Sequence, residues 1–190
     1  MLRCNYSSLQ QRIVESLHQI SSVKIAEINL PKSITTLCTT LLTELGDSQQ
    51  PNALMVFGLE SVENLDTVLT SANQVREEFR KNFSFPLLLW VNDQILSKFI
   101  LLATDLENWS TTIEFSISDD ELVALLKQIT DDVFTGNFQP NSQKCRELAA
   151  VRKDLQLRGK DLDSTDQASL NFVLGLRSYL DSHFDLALSL

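Results

Sequence analysis

The chain has 190 residues, of which 43% are hydrophobic and 22% charged, and its formal net charge is −9. This composition is typical of a globular protein and excludes an intrinsically disordered chain. The negative charge argues against a nucleic acid as the main ligand, because binding a phosphate backbone requires a basic surface.

The three cysteines, Cys4, Cys38 and Cys145, are odd in number and far apart, and no histidine stands at metal-ligand spacing from them. They predict free thiols in a reducing compartment and no metal site. The chain does not start with an apolar signal run, and no stretch approaches ~20 apolar residues. We therefore expect a cytoplasmic protein that does not interact with membranes.

The first part of the chain alternates between helical and strand patterns. Apolar residues at helical spacing predict a helix that Ser7 or Ser8 caps and that ends near Ser21. Residues 23–30 predict a first strand, which Pro31 ends. Residues 34–45 predict a second helix, with Ser33 as its cap and Gly46 just past its end.

Residues 52–117 carry the clearest pattern. Two continuous apolar runs, at 53–59 and 86–91, flank a helical pattern at about 62–82, as in a parallel β-α-β unit whose strands are buried on both faces. Asp93 is the predicted N-cap of the next helix, and alternation at 111–117 predicts a fourth strand. Ser118 with Glu121 three residues later forms a capping box, which predicts a further helix start.

This order of elements predicts an α/β domain over residues 1–139, with a mostly parallel sheet of about four or more strands flanked by helices. Residues 140–190 contain helical patterns only, at 143–158, at about 165–181 and from Asp185 onward. The last pattern stops at Leu190 in mid-helix, so we expect further chain to follow in the full protein.

A phosphate-binding loop is incomplete in this sequence. Such a loop needs glycines, so that main-chain N–H groups surround the phosphates, and a lysine. Residues 30–36, after the first predicted strand, contain Lys32 and Ser33 but no glycine, and Pro31 lacks an N–H. We predict no catalytic residue and no cofactor. The alternative is an atypical site for ATP and Mg²⁺ made by Lys32, Ser33, Glu60 and Asn92.

Arg76 falls inside the apolar stripe of the helix predicted at 62–82. A cation on a core-facing side needs an acidic partner, and Glu60, at the end of the second predicted strand, is the candidate. The sequence therefore predicts a buried Glu60–Arg76 ion pair. The alternatives are an arginine that extends along the helix edge to solvent, and a glutamate that interacts with a helix N-terminus.

The stretch that includes residues 53–60, 69–77, 86–93, 103–109 and 113–115 resembles a domain of cyanobacterial tetratricopeptide-repeat signalling proteins. That domain is similar to the P-loop NTPase modules of STAND regulators, the NACHT and NB-ARC group. The resemblance implies a P-loop NTPase-like or Rossmann-like fold, with Glu60 at the Walker B position and Asn92 near the sensor position. Because Walker A is missing, it implies a degenerate, non-hydrolysing version.

Residues 172–187 are similar to a tetratricopeptide repeat. Leu174 and Gly175 match the close-packed position of the first helix, and Tyr179 stands one place after the expected aromatic residue. Phe184 and Ala187 match the turn aromatic and the small residue of the second helix. A single repeat cannot bury its own apolar face, so the resemblance implies that more repeats follow.

We therefore expect a non-catalytic module for protein–protein interaction, acting as a sensor or scaffold in a bacterial signalling or defence protein, with protein partners or self-association. The rival hypothesis is a nucleotide-binding NTPase switch with the atypical phosphate site. A third is a folding unit that only caps the repeats.

Overall fold

The computed structural model describes residues 1–46, 50–136 and 142–188. The chain divides into two compact units, Met1–Ser116 and Ile117–Leu190. The sequence pattern placed the boundary after residue 139 instead. The difference arises because the helix that follows the capping box packs with the later helices and belongs to the second unit.

The first unit is α/β, as predicted, and its described strands form a five-stranded, all-parallel sheet. The strands are β1 (Leu2–Arg3), β2 (Ile25–Asn29), β3 (Ala53–Phe57), β4 (Leu87–Val91) and β5 (Ile113–Glu114). Their order across the sheet is β2-β3-β4-β1-β5. The strand that the sequence pattern placed first is therefore β2, which lies at an edge.

Strand β1 was not predicted, yet it lies inside the sheet. Leu2 pairs with Trp90 of β4 on one side and with Ile113 of β5 on the other. A strand of two residues is too short for apolar alternation, so only its partners, about 90 and 110 positions later, define it. It places the first residues of the chain inside the sheet, between the middle strand β4 and the edge strand β5.

Helices cover both faces of this sheet. They are α1 (Ser7–Ile20), α2 (Leu37–Leu45), α3 (Leu65–Gln74), α4 (Arg76–Asn82), α5 (Asp93–Leu102) and α6 (Thr104–Asn108), with a short 3₁₀ helix at Leu59–Ser61. On one face, α1 packs through Leu9, Ile13 and Val14 near Leu2 and Trp90. The other helices share a larger core on the opposite face. The chain runs from β1 past β4 and β3 to β2, and then returns through β3 and β4 to β5. Because crossovers between parallel strands are right-handed, these two opposite directions place α1 on one face and the other helices on the opposite face.

The helix predicted at 62–82 is two helices in the structure. The chain breaks at Val75, which has φ −102° and ψ 24°, between α3 and α4. The first predicted cap is also displaced, since Thr36 and not Ser33 precedes α2. The first error is a break inside a predicted helix, whereas the second concerns an element end, which local sequence determines weakly.

The second unit is helical. Its helices are α7 (Asp119–Phe134), α8 (Ser142–Leu157), α9 (Ser164–Leu180) and α10 (Phe184–Leu188). The predicted capping box is confirmed, because Ser118 and Glu121 bond reciprocally at the start of α7. Apolar side chains that are at most 1% exposed form its core: Leu122, Leu126, Leu148, Val151, Leu155, Leu170 and Val173.

Candidate functional site

The point where an open parallel sheet binds ligands lies between β1 and β4 in this fold. The chain leaves β1 toward β2 and leaves β4 toward β5, in opposite directions. In open α/β sheets the ligand crevice forms at such a switch point, outside the carboxyl ends of the strands. The segments that follow these strands are residues 4–6 and residues 92–93, so a ligand would meet them first.

Four side chains of the protein itself meet at this switch point. Arg3 Nε lies 2.7 Å from Asp93 Oδ1, and Arg3 Nη1 lies 2.7 Å from Glu114 Oε2. Asn5 donates from Nδ2 to Asp93 Oδ1 at 3.1 Å and accepts at Oδ1 from the Asp93 main-chain N–H at 2.9 Å. We call Arg3, Asn5, Asp93 and Glu114 the switch-point cluster. Its arginine is already paired with two carboxylates, which opposes binding of a further anion.

The turn between β1 and α1 also lacks the features of a phosphate loop. It spans only residues 4–6 and contains no glycine. Two of its three side chains are buried, with Tyr6 2% exposed and the Cys4 thiol donating to the main-chain oxygen of Tyr6 at 3.3 Å, and the third, Asn5, is bonded to Asp93. A phosphate cradle requires a glycine-rich loop whose N–H groups converge on the anion. This short turn is filled by its own side chains.

Asn92 has a structural role in this region. Its Oδ1 accepts from the Ile95 N–H at 2.9 Å and caps α5. The predicted cap, Asp93, is the first residue of the helix and belongs to the switch-point cluster. Both residue types cap helices well. Asn92 is the cap because the Asp93 side chain is instead bonded to Arg3 and Asn5.

The other residues of the alternative nucleotide site follow the neighbouring strands. Lys32 and Ser33 are exposed in the turn after β2, where the main-chain oxygen of Lys32 accepts from the Glu63 N–H at 2.9 Å. Glu60 is exposed in the 3₁₀ helix after β3. These three residues therefore lie at the carboxyl edge of the sheet, but away from the switch point.

Gly58, beside Glu60, is required for close packing. Its φ is 87°, in the left-handed region, and a Cβ here would lie 3.3 Å from the main-chain oxygen of Leu30. The ends of β2 and β3 can approach this closely only at a glycine. The one glycine near a strand end thus serves the backbone itself.

The predicted Glu60–Arg76 ion pair is absent from the described part of the chain. Arg76 Nη1 lies 3.5 Å from Asp105 Oδ2 and donates to the main-chain oxygen of Asn73 at 3.3 Å. Its guanidinium also lies over the Trp109 ring, 5.7 Å from the centroid. The break at Val75 changes the helical phase, so the continuous stripe that placed Arg76 on the core side does not exist.

Buried cysteines offer no reactive site. Cys4, Cys38 and Cys145 are free and buried, as expected for thiols that are not paired in disulfides. Burial raises the pKa of the Cys38 and Cys145 thiols, which keeps them protonated near neutral pH. In the described residues, no group of three or more His, Cys, Asp and Glu side chains could hold a metal ion.

The residues matched to a tetratricopeptide repeat lie in a helical hairpin of α9 and α10. A Cβ on Gly175 would lie 3.4 Å from the main-chain oxygen of Ala187, so the two helices are in close contact there. The Tyr179 and Phe184 rings pack edge to face with centroids 5.4 Å apart. Leu174 is half-buried in α9. The contact between α9 and α10 therefore involves Gly175 with Ala187 and Tyr179 with Phe184.

Apolar side chains remain exposed on this hairpin. Phe172, Tyr179, Leu180 and Phe184 are between 52% and 60% exposed, and we call them the hairpin face. A groove of about 600 Å³ is lined by Phe172, Tyr179 and Phe184 of this face together with Asn171, Gly175, Leu176 and Ala187. Large exposed apolar patches mark interaction sites. The sequence pattern named Tyr179 and Phe184, but it did not indicate that they are exposed.

Comparison of the chain with protein-family models, with curated proteins and with solved structures finds no match to any of them. Within the described residues, none of the helices has the length and apolar character needed to cross a membrane.

Proposed function

We propose that this chain is a non-catalytic module for protein–protein interaction, in which a degenerate P-loop NTPase-like domain precedes the start of a tetratricopeptide array. It acts as a sensor or scaffold in bacterial signalling or defence. The hairpin face carries the proposal. It places four large apolar side chains in solvent on one pair of helices.

A further helical hairpin is the partner that this face fits. Gly175 is in close contact with Ala187, which brings α9 and α10 together as a helical hairpin and supports this proposal. A repeat of this kind buries its apolar face only when another one stacks on it. The exposed aromatic rings and the groove beside them provide the contact area. The completed array would then bind protein partners, in the cytoplasm, where free thiols persist.

The switch-point cluster supports the non-catalytic part of the proposal. Arg3, Asn5, Asp93 and Glu114 satisfy one another where a nucleotide would bind. Binding there would have to break these contacts, and the short turn after β1 supplies no glycine to replace them. A sheet of this type can keep its architecture when it has no nucleotide-binding or catalytic residues.

The nucleotide-binding switch is the second candidate, favoured by one observation. Lys32, Ser33 and Glu60 are exposed at the carboxyl ends of the neighbouring strands β2 and β3. Calorimetric titration with ATP and with ADP, each with Mg²⁺, separates the candidates. Micromolar affinity that Lys32→Ala or Glu60→Ala abolishes would establish the switch, and we expect no binding.

Stacking on the hairpin face is tested by appending one consensus helix–turn–helix repeat after Leu190. We expect the repeat to raise the unfolding temperature by several degrees, because it buries the exposed rings. Phe172→Ser with Tyr179→Ser should remove most of this gain. Leu157→Ser, at a residue of the same unit that is 76% exposed but outside the face, is the matched control. An equal gain in all three backgrounds would refute stacking at this face.

A further inference from the structure

Strand β2 forms an open edge of the sheet in the first unit. It pairs with β3 along its whole length, from Ile25 opposite Ala53 to Asn29 opposite Phe57. Of the residues that the structure describes, none forms a strand on its other side. An open edge of this kind can bind a further strand, and proteins use such edges to recognise extended segments of their partners. We call this side of the strand the β2 edge.

Main-chain groups of alternate residues point to the β2 edge. The Lys24 oxygen accepts from the Asn52 N–H at 2.9 Å, on the side of β3. The Leu30 N–H donates to the Phe57 oxygen at 3.0 Å on the same side. Successive residues of a strand direct these groups to alternate sides, so the odd-numbered residues face outward. The outward N–H and C=O groups, to which none of the described residues bonds, belong to Ile25, Glu27 and Asn29.

Glu27 stands in the middle of the β2 edge. Its carboxylate lies on the same side of the sheet as α1, where Oε1 is hydrogen-bonded to His18 Nε2. The Glu27 side chain is 38% exposed, and its Oε2 makes no hydrogen bond in the described part of the chain. A bound strand would cover this carboxylate, and covering a charge without a partner is costly. Glu27 therefore opposes an acidic or apolar residue directly across from it and favours a basic one.

The residues on either side of Glu27 have their side chains on the other face of the sheet. Ile28 is 7% exposed, and Ala26 packs against the same core from a half-buried position. Because side chains alternate along both strands, the two neighbours of the basic residue would lie beside Ile28 and Ala26. Apolar side chains there would extend the core and add hydrophobic burial to the main-chain bonds. The segment that fits is therefore a basic residue with an apolar residue on each side.

The charge of the whole chain acts in the same direction. Its formal net charge is −9, so it attracts a basic segment and repels an acidic one during the encounter. A second copy of β2 is a poorer occupant of the β2 edge. Full antiparallel overlap of two such strands places the two Glu27 side chains opposite each other, and like charges in that position destabilise a strand pair.

We propose that the β2 edge binds an extended segment of a partner protein that has a lysine or arginine opposite Glu27 and an apolar residue on each side of it. Main-chain hydrogen bonds along the edge hold the segment, and the charge pair at Glu27 selects it. The site lies within the first unit. The inference therefore does not depend on the hairpin face, which belongs to the second unit.

Calorimetric titration of the 190-residue chain with the synthetic peptide Ac-Thr-Val-Lys-Val-Thr-NH2 tests this proposal. The peptide reads the same in both directions, so its lysine can lie opposite Glu27 in a parallel or an antiparallel arrangement. We expect saturable binding with one peptide per chain. The counterpart Ac-Thr-Val-Glu-Val-Thr-NH2 should bind about tenfold more weakly, because it places two carboxylates opposite each other.

Substitution of Glu27 tests whether this residue selects the peptide. Glu27→Gln should remove the preference for the lysine peptide, and Glu27→Lys should reverse it. Glu77→Lys is the matched control, because it makes the same change of charge at a side chain of α4 that is 57% exposed and lies away from β2. It should leave the preference as it is in the unchanged chain.

Amide hydrogen exchange measured by NMR locates the bound peptide. The lysine peptide should slow exchange at the three outward N–H groups of β2, those of Ile25, Glu27 and Asn29. Exchange at Ala26 and Ile28, whose N–H groups face β3, should change little.

Three results would overturn the proposal. The first is no binding of the lysine peptide, and the second is equal affinity for the lysine and glutamate peptides. The third is binding that leaves the outward N–H groups unprotected, which would place the peptide elsewhere on the chain. Protection of these groups that instead rises with protein concentration, in the absence of peptide, would assign the β2 edge to a second copy of the chain and not to a different partner.

Discussion

Asp93 shows how residues distant in sequence determine the role of a single side chain. It bonds Arg3 and Asn5, which lie 90 and 88 positions earlier. Sequence reasoning identified the Asn92–Asp93 pair as the start of a helix but chose the wrong member as the cap. Local propensity cannot separate Asn from Asp at this position, because both are strong N-caps and only the fold brings Arg3 close.

We expect Asp93→Ala to lower the free energy of unfolding by about 1–2 kcal/mol, because it leaves the partly buried Arg3 and Asn5 without their shared acceptor. Asp66→Ala is the matched control. Asp66 also stands in the first turn of a helix and pairs with a cation, Lys98, but it is 65% exposed. Its loss should change stability by no more than about 0.5 kcal/mol. Urea denaturation measures both, and equal effects would show that only the helix N-terminus matters.

The longer elements were predictable because their patterns are local. Strand β4 lies within the apolar run predicted at 86–91, and α7 begins at the predicted capping box. Elements that depend on tertiary contact were missed or displaced. Strand β1 consists of Leu2 and Arg3 alone, and the break at Val75 interrupts a sequence with an unbroken helical pattern. Because the predicted helix continued through Val75, Arg76 was assigned to the core side with Glu60 as its partner, whereas in the structure its acidic neighbour is Asp105.

The capping box of α7 allows a test at the scale of one element. Ser118 Oγ accepts from the Glu121 N–H, and the Glu121 carboxylate accepts from the Ser118 N–H. We expect Ser118→Ala to destabilise the second unit by about 1 kcal/mol, because a main-chain donor loses its partner. Thermal unfolding followed by circular dichroism measures this change.

Ser178→Ala is the control for that substitution. Ser178 lies inside α9, where its hydroxyl only donates back to the main-chain oxygen of Leu174 at 3.0 Å. Such a bond adds little to a helix, so its loss should change stability by less than about 0.5 kcal/mol. Should Ser118→Ala prove as mild as this control, the capping box would contribute nothing to the stability of α7.

At the scale of the whole molecule, composition and periodicity predicted the α/β class but not the strand order. The order β2-β3-β4-β1-β5 requires β1, and its position moves the switch point away from Lys32 and Ser33. The candidate phosphate residues Lys32 and Ser33 therefore follow β2, at the edge of the sheet, and not a strand of the switch point. The predicted boundary after residue 139 differs from the division into compact units at Ser116 for a similar reason, since the pattern of α7 alone does not reveal which core it joins.

Each unit has its own buried core, so we expect core substitutions to act on one unit. Leu148 is 0% exposed in the second unit, and Leu148→Ala should lower the stability of that unit by about 2–4 kcal/mol through the cavity it leaves. Both tryptophans, Trp90 and Trp109, lie in the first unit, so tryptophan fluorescence reports on that unit, whereas circular dichroism reports on both.

In urea, Leu148→Ala should therefore move part of the circular dichroism transition to lower denaturant and leave the fluorescence transition in place. Leu69→Ala provides the reciprocal case, because Leu69 is 0% exposed in α3 of the first unit and should move the fluorescence transition instead. If both signals shifted together in either variant, the two units would unfold as one cooperative body, and their division would be geometric and not energetic.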